Sequence, residues 1–240
     1  MIRKMVLASS ALAFGLLGLR AQTIPVSFSQ RMVERLQSEA LDHPSDALVR
    51  AQLAEALLVR ARETGDKALL QESLRQIDAG LKLEPTNYLL ERARTEWLVD
   101  NGYFAEALIL ATKLNRAMPD DLLTYSLLVR IYLKQGNVEE AKRQAQWMLD
   151  IRQAEAISLW RAAEVREAVG DTAGSLQFLA DAYRSTQSEH EFDRAVIRAQ
   201  SARLLARAGR SDDAAKTATD VRRQFPGSTE ISALLSGIAE

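Results

Sequence analysis

Gly102, Gly136, Gly170 and Gly209 stand 34, 34 and 39 residues apart in this 240-residue chain, which has only 11 glycines in all. Five residues after each comes a small residue: Ala107, Ala141, Ser175 and Ala214. Twelve residues after each comes an apolar one: Leu114, Met148, Ala182 and Val221. Pro85 and Pro119 are also 34 apart. A period of this length means that one supersecondary unit is built repeatedly, each copy burying its apolar face against its neighbours. The chain is therefore expected to form an elongated array of units, rather than layers around a single core.

The unit reads as two antiparallel helices. Ahead of each glycine runs a stretch with apolar or small residues at helical spacing, clearest at Tyr125, Leu128, Val129 and Tyr132. The glycine ends that helix, because the left-handed conformation costs glycine least. Asn137 with Glu140 three residues on then reads as a capping box opening the second helix. The small residue five past the glycine lets the second helix approach the first, and Pro119 and Pro226 stop two of the second helices.

A 34-residue helix–turn–helix with Gly-x4-Ala and a closing proline resembles the tetratricopeptide repeat (TPR), and Gly136-Asn137-Val138-Glu139-Glu140-Ala141 is the segment most similar to that pattern. Units fall at 88–121, 122–155, 156–189 and 195–228, with an earlier one at 46–87 where Gly65 sits about one helical turn late. Extra residues near 185–191 account for the spacing of 39. Glu91 and Arg198 stand where the family has an aromatic or aliphatic residue, and Gln153 and Gln187 where it often has proline. The expected fold is all-α, a right-handed α-solenoid of about five TPR-like repeats over 46–228. Helices at 28–42 and 229–239 would cap its ends, within segments 22–45 and 229–240.

The first 21 residues carry Arg3 and Lys4, an apolar run over 5–19, and Ala21. This is the pattern of a secretory signal peptide. The run would make a helix of roughly 22 Å, short of the ~30 Å hydrocarbon core of a bilayer. Cleavage after Ala21 is expected, against an uncleaved anchor or a buried helix as alternatives. The protein would then be exported, periplasmic or secreted. Beyond residue 21 there are 28 basic against 32 acidic residues. No concentrated basic face for nucleic acid is expected from that balance. The chain has no cysteine, which excludes disulfides, thiolate nucleophiles and iron–sulfur ligation.

No catalytic constellation emerges. His43 and His190 have no ligand-type spacing around them, and no phosphate loop or nucleophile elbow occurs. Asp120-Asp121, Glu139-Glu140 and Asp212-Asp213 all lie at expected helix starts, where acids complement the helix dipole. No enzyme activity, cofactor or metal is expected.

In the TPR family the first helices line a concave groove that holds peptides or helices. Counting ten residues back from each glycine gives Arg92, Ser126, Trp160 and Ala199, and six back gives Glu96, Arg130, Glu164 and Arg203. The resemblance therefore implies a partner-binding groove of Arg92, Glu96, Ser126, Arg130, Trp160, Glu164 and Arg203. Alternating charge in the second row suits a polar or mixed-charge ligand rather than a uniformly acidic tail, or else ion pairs between neighbouring units. Trp160 would be a groove anchor or a residue packed between units. A third row, Leu89, Leu123, Ile157 and Val196, is apolar and suits inter-unit packing, as do Trp97 and Trp147. The expected function is a non-catalytic scaffold or adaptor for a protein or peptide in the bacterial cell envelope. The alternative is a self-associating, homo-oligomeric subunit of an envelope assembly.

Overall fold

The computed structural model describes residues 27–239. The expected signal peptide and all but Ser27 of the 22–27 leader lie outside the described residues. Among these, the chain forms twelve helices and no strand. Helix α1 (Phe28–Asp42) precedes five antiparallel pairs. They are α2 (Ala47–Thr64) with α3 (Lys67–Leu83), α4 (Tyr88–Asp100) with α5 (Phe104–Ala117), and α6 (Leu122–Lys134) with α7 (Val138–Ile151). Then come α8 (Ala156–Ala168) with α9 (Thr172–Ser185), α10 (Glu191–Arg207) with α11 (Ser211–Gln224), and finally α12 (Thr229–Leu234). This is the tandem all-α solenoid that the glycine period implies.

Local chemistry sets the helix ends. Asp46, Asp66, Asn87, Asp121, Asn137 and Asp171 each accept a backbone N–H at the start of α2, α3, α4, α6, α7 and α9. Only half of the expected capping box forms. Asn137 accepts from the Glu140 N–H at 3.3 Å, but the Glu140 carboxylate turns to Arg143. The Asn137 N–H closes on the Tyr132 carbonyl at 2.8 Å, across the turn in which Gly136 has φ +74°.

A methyl group added at Gly136 would meet nothing within 4 Å. Its replacement therefore isolates the left-handed backbone cost. Gly136→Ala is expected to lower stability by about 1 kcal/mol, read as a shift of the urea midpoint with the slope unchanged.

Packing explains the rest of the period. Ala107, Ala141, Ser175 and Ala214 are at most 1% exposed, as are Leu114, Met148, Ala182 and Val221. The small set lets each second helix lie close on its first helix, and the larger set fills the space beyond. Where the small residue is serine, its hydroxyl finds a carbonyl on the facing helix: Ser175 Oγ donates to Ala163 O at 2.8 Å. In the first unit Ser73 Oγ donates to Ala54 O at 3.0 Å. Glu91 and Arg198, which depart from the repeat pattern, cross to the second helix of their own unit as ion pairs. Glu91 meets Lys113 and Arg198 meets Asp220. Gly65 falls late because α2 runs 18 residues against 13 in α4, α6 and α8.

The first helices pack against one another from α2 to α8, α8 and α10 meet through side chains such as Trp160 and Gln200, and each second helix packs on the first helix of the next unit. The first helices thus form an inner layer and the second helices an outer one. The array then curls until its ends meet. Helix α12 packs on α10 and α11 and also on α2, in the first unit. A β-carbon placed on Gly65 would lie 2.5 Å from the Gly227 carbonyl oxygen, and one on Gly227 would lie 2.6 Å from the Thr64 carbonyl oxygen. Beside this seam a cleft of about 140 Å³ is lined by Phe28, Met32 and Val59 from one end of the chain and by His190 and Phe192 from the other. Helix α12 is shorter than the 229–239 expected from sequence. After Leu234 the chain winds into turns through Gly237, φ +82°, and Arg222 Nη2 on α11 holds the Leu235 and Ile238 carbonyls at 2.8 and 2.9 Å.

Candidate interaction site

Because α12 touches both α10 and α2, it completes a ring of inner helices: α2, α4, α6, α8, α10 and α12. Charged side chains project into the ring's interior. Arg62 of α2 pairs with Glu96 of α4 at 3.0 Å and approaches Asp100 at 3.9 Å. Arg130 of α6 pairs with Asp100 at 2.7 Å. Arg203 and Arg207 of α10 both reach Glu167 of α8 at 2.8 Å. Arg161 pairs with Glu164 on α8 itself, and Glu164 Oε1 accepts from Gln200 Nε2 of α10 at 3.2 Å.

The Arg62 and Arg130 side chains are about a quarter exposed, at 23% and 24%, so solvent reaches this part of the inner wall. Burial works against the charge on Arg62, but Glu96, Asp100, Glu230 and Asp193 outweigh it and hold the guanidinium well above its ordinary range. Arg161 goes the other way. Burial, reinforced by Arg130, pushes it down in spite of Glu164. Burial also raises Glu230 of α12, with Asp100 adding to the shift and Arg62, Arg130 and Arg161 opposing it.

The seven residues expected to line a groove all lie on the inner helices, and Arg92, Glu96, Arg130, Trp160, Glu164 and Arg203 have polar partners within the chain. Glu96, Arg130, Glu164 and Arg203 do not pair with one another along the row. Asp100 and Glu167, absent from the expected site, take the place of those partners, together with Arg62 and Arg161. Ser126 is buried at 6% exposure. Trp160 is 9% exposed and packs between α8 and α10, where its indole N–H donates to Gln200 Oε1 at 2.7 Å. Arg161 lies 4.5 Å from the centroid of its ring. Trp160→Phe preserves the packing but removes that donor. It is expected to cost about 1 kcal/mol, measured by the denaturation midpoint.

Arg92 belongs to a separate network spanning three units. Its Nη2 donates to Glu55 of α2 at 2.6 Å, and its Nη1 lies 3.5 Å from Asp121 at the start of α6. Tyr88 donates to Asp121 Oδ2 at 2.6 Å and lies 2.9 Å from the Thr124 hydroxyl. Burial and the Asp121 carboxylate push the Tyr88 phenol up to about 12. Burial raises Asp121, but hydrogen bonds from Tyr88 and Thr124 and the charge of Arg92 prevail and hold it below its ordinary 3.8. Glu55 stays above its ordinary 4.5, because burial exceeds the effect of Arg92.

The third row divides. Val196 is 1% exposed and Ile157 packs against the core, but Leu123 is 47% exposed. Trp97 packs as expected, donating to the Leu70 carbonyl at 3.0 Å and stacking on Tyr103. Trp147 is half exposed on the outer layer instead, as is Ile109 still more fully. His43 is exposed at the end of α1, and His190 lies 3.8 Å from Asp193 at the start of α10. Among the described residues no group of three or more acids and histidines is placed to hold a metal, and no helix is long and apolar enough to cross a membrane.

Arg62, Asp100, Arg161 and Glu230 were not anticipated from the sequence. Arg161 lies nine residues before its glycine, in a row that runs Ala93, Leu127, Arg161 and Gln200, all buried. The change from apolar to polar along that row is the signal that marks it.

No protein-family model matches the sequence, and no curated protein matches it. Solved structures do resemble it. A thermophilic TPR protein from Thermus thermophilus is 17% identical over 80% of this chain and 98% of its own, with a TM-score of 0.65. A chain of the APC/C hetero-tetramer Cut9-Hcn1 is 16% identical over 85% of this chain and 39% of its own, with a TM-score of 0.68. PilW, a type IV pilus biogenesis factor, is 16% identical over 87% of this chain and 91% of its own, with a TM-score of 0.51. At these identities the likeness is one of architecture: the chain has the tetratricopeptide-repeat fold.

Proposed function

We propose that this chain is a non-catalytic protein-interaction scaffold, an adaptor or assembly factor of the bacterial cell envelope that takes a peptide or protein segment against its inner wall. The observation that carries this reading is the continuous layer of first helices. It presents alternating charges to a wet interior, on a repeat fold whose general use is protein binding. Their placement suits recognition of a mixed-charge segment, since rows of paired charges give specificity more than raw affinity. The envelope assignment rests on the signal-like pattern of residues 1–21.

Photo-crosslinking in cells tests it. A crosslinking amino acid is placed at Lys134 and Arg207, which occupy in their units the inner position of Asp100. It is placed separately at Ile109 and Trp147 on the outer layer. Protein adducts from the inner positions are expected. Adducts from the outer positions alone would sink the inner-wall reading.

A second reading, self-association, is favoured by Ile109 and Trp147 themselves. They are 72% and 49% exposed on the outer helices of adjacent units. Sedimentation of residues 22–240 checks it. Oligomers that dissociate in the Ile109→Ser, Trp147→Ser variant support self-association, and a monomer at every concentration refutes it.

A further inference from the structure

The two helices that depart from the repeat meet in space. Helices α2 and α10 run 18 and 17 residues, against 13 in α4, α6 and α8. Glu63, in the last turn of α2, and Phe192 and Asp193, in the first turn of α10, line the same cleft beside the seam. Phe28 and Met32 of α1 and Val59 of α2 give it an apolar wall.

The charges of this cleft are unbalanced. Glu189 and Glu191 are exposed at its rim and form no ion pair among the described residues. Asp193 has only the imidazole of His190, at 3.8 Å. Glu63 is 6% exposed, and both of its bonds, from the Ser29 hydroxyl and from Arg60 at 2.9 Å, go to Oε2. Its Oε1 accepts no hydrogen bond among the described residues. A carboxylate has about four acceptor sites, so this buried one lacks a donor on the side that remains. The neighbouring bases are already engaged. Arg60 also donates to Ser27 and Gln30, at 3.0 and 3.2 Å. Arg194 donates to the Tyr183 and Thr186 carbonyls, at 3.0 and 2.8 Å.

Size narrows the choice of occupant. The cleft holds about 140 Å³, room for about five waters at ~30 Å³ each. That is too little for a helix and enough for one long side chain. An apolar wall with carboxylates at its depth and rim matches an aliphatic stem that ends in a cation. An acidic side chain would be repelled, and a wholly apolar one would leave the Glu63 oxygen without a donor.

We propose that this cleft takes a single lysine side chain presented by a protein partner. Its stem lies on Phe28, Met32, Val59 and Phe192, and its ammonium lies among Glu63 Oε1, Glu191 and Asp193. Three donors on one small ammonium suit three separate carboxylates better than the flat fork of arginine does. The pocket belongs to α1, α2 and α10 and uses none of the ion pairs of the inner wall. It therefore stands whether or not the inner wall binds a segment.

The experiment uses residues 22–240, which contain the whole described fold, and lysine capped by acetyl and methylamide groups. Amide resonances are followed by NMR during the titration. Capped norleucine, which keeps the stem without the charge, and capped glutamate are the controls. One side chain is a weak ligand, so half-saturation on the order of millimolar is expected. Shifts should fall on α1, the end of α2 and the first turn of α10. Norleucine should bind about five-fold more weakly than lysine, and glutamate not at all. Glu191→Gln combined with Asp193→Asn should weaken lysine by about five-fold and leave norleucine unchanged. Ala56→Leu, which fills the cleft from α2, should abolish both.

Circular dichroism melting confirms that the variants fold. If Ala56→Leu does not, the three probes and the carboxamide variant decide alone. Equal binding of norleucine and lysine overturns the proposal, as does unchanged lysine binding by the carboxamide variant. It is overturned too if lysine shifts no amide around the cleft, or only those of α4, α6 and α8, where the inner wall would be the cation site instead.

Discussion

Asp121→Ala is expected to lower stability by about 3 kcal/mol and to loosen the junction of the first three units. The carboxylate does several things at once. It accepts the Leu123 and Thr124 N–H groups as the cap of α6. It accepts the Tyr88 and Thr124 hydroxyls, and it faces Arg92, whose other nitrogen holds Glu55. Loss of a cap costs about 1 kcal/mol. A buried donor left without its acceptor costs about 1–3 kcal/mol more. Tyr88→Phe in the same background tests the mechanism. If the phenol is the stranded donor, its removal restores part of the loss, and the two substitutions are non-additive in a double-mutant cycle. Additive losses would mean that Asp121 acts only as a cap.

The same carboxylates give the stability a shape with pH. Asp121 is held below 3.8, so its contribution is complete above that value and is lost as pH falls through the lower, folded value. Glu55 and Glu230 are raised above 4.5. For them the folded state binds the proton first. Their ionisation costs stability at neutral pH, and the cost is relieved as pH falls from their raised values toward 4.5. The melting temperature should therefore hold or rise slightly on mild acidification and drop below about pH 4. Asp121→Ala should flatten the acid limb and leave the milder one.

Much of this architecture was legible in the sequence, for a physical reason. A repeat must present the same solution to its neighbours each time, so the close approach at Ala107, Ala141, Ser175 and Ala214 and the fill at Leu114, Met148, Ala182 and Val221 recur at a fixed distance from a turn glycine. Those contacts are local, within one unit or between adjacent ones. The closure is not. Gly65 and Gly227 are separated by most of the chain, share no period, and read in sequence as an ordinary turn glycine and a loop glycine.

The same holds for the interior charges. The rows of Arg92 and Glu96 follow from counting within a unit and do lie on the first helices. Which acid meets which base depends on the curl of the whole array, so Arg62 with Glu96 and Arg203 with Glu167 appear only once the helices are assembled. Trp160 could be placed on a first helix by counting, but its burial depends on the longer α10, whose Gln200 reaches across to it.

The closure can be weighed with three glycines. Gly136→Ala carries only the left-handed backbone cost, about 1 kcal/mol. Gly227→Ala carries only a collision, because its φ is ordinary but its new methyl group would sit 2.6 Å from the Thr64 carbonyl oxygen. Gly65→Ala carries both, with φ +70° and a contact at 2.5 Å to the Gly227 carbonyl oxygen. Backbone atoms cannot move aside as a flexible side chain can, so the collision costs about 1–3 kcal/mol or forces the seam apart. Gly65→Ala is therefore expected to be the most damaging of the three, at about 3 kcal/mol.

Hydrogen exchange locates the damage. In Gly65→Ala and Gly227→Ala the amides of α12 and of the last turn of α2 should exchange faster, while α6 and α7 stay protected as in wild type. Gly136→Ala should show the reverse pattern, with loss confined to the α6–α7 turn. If Gly65→Ala and Gly136→Ala cost the same and α12 stays protected in both, the ends of the array are not held together in solution. The inner wall is then open along its length, as in a solenoid whose ends stand apart.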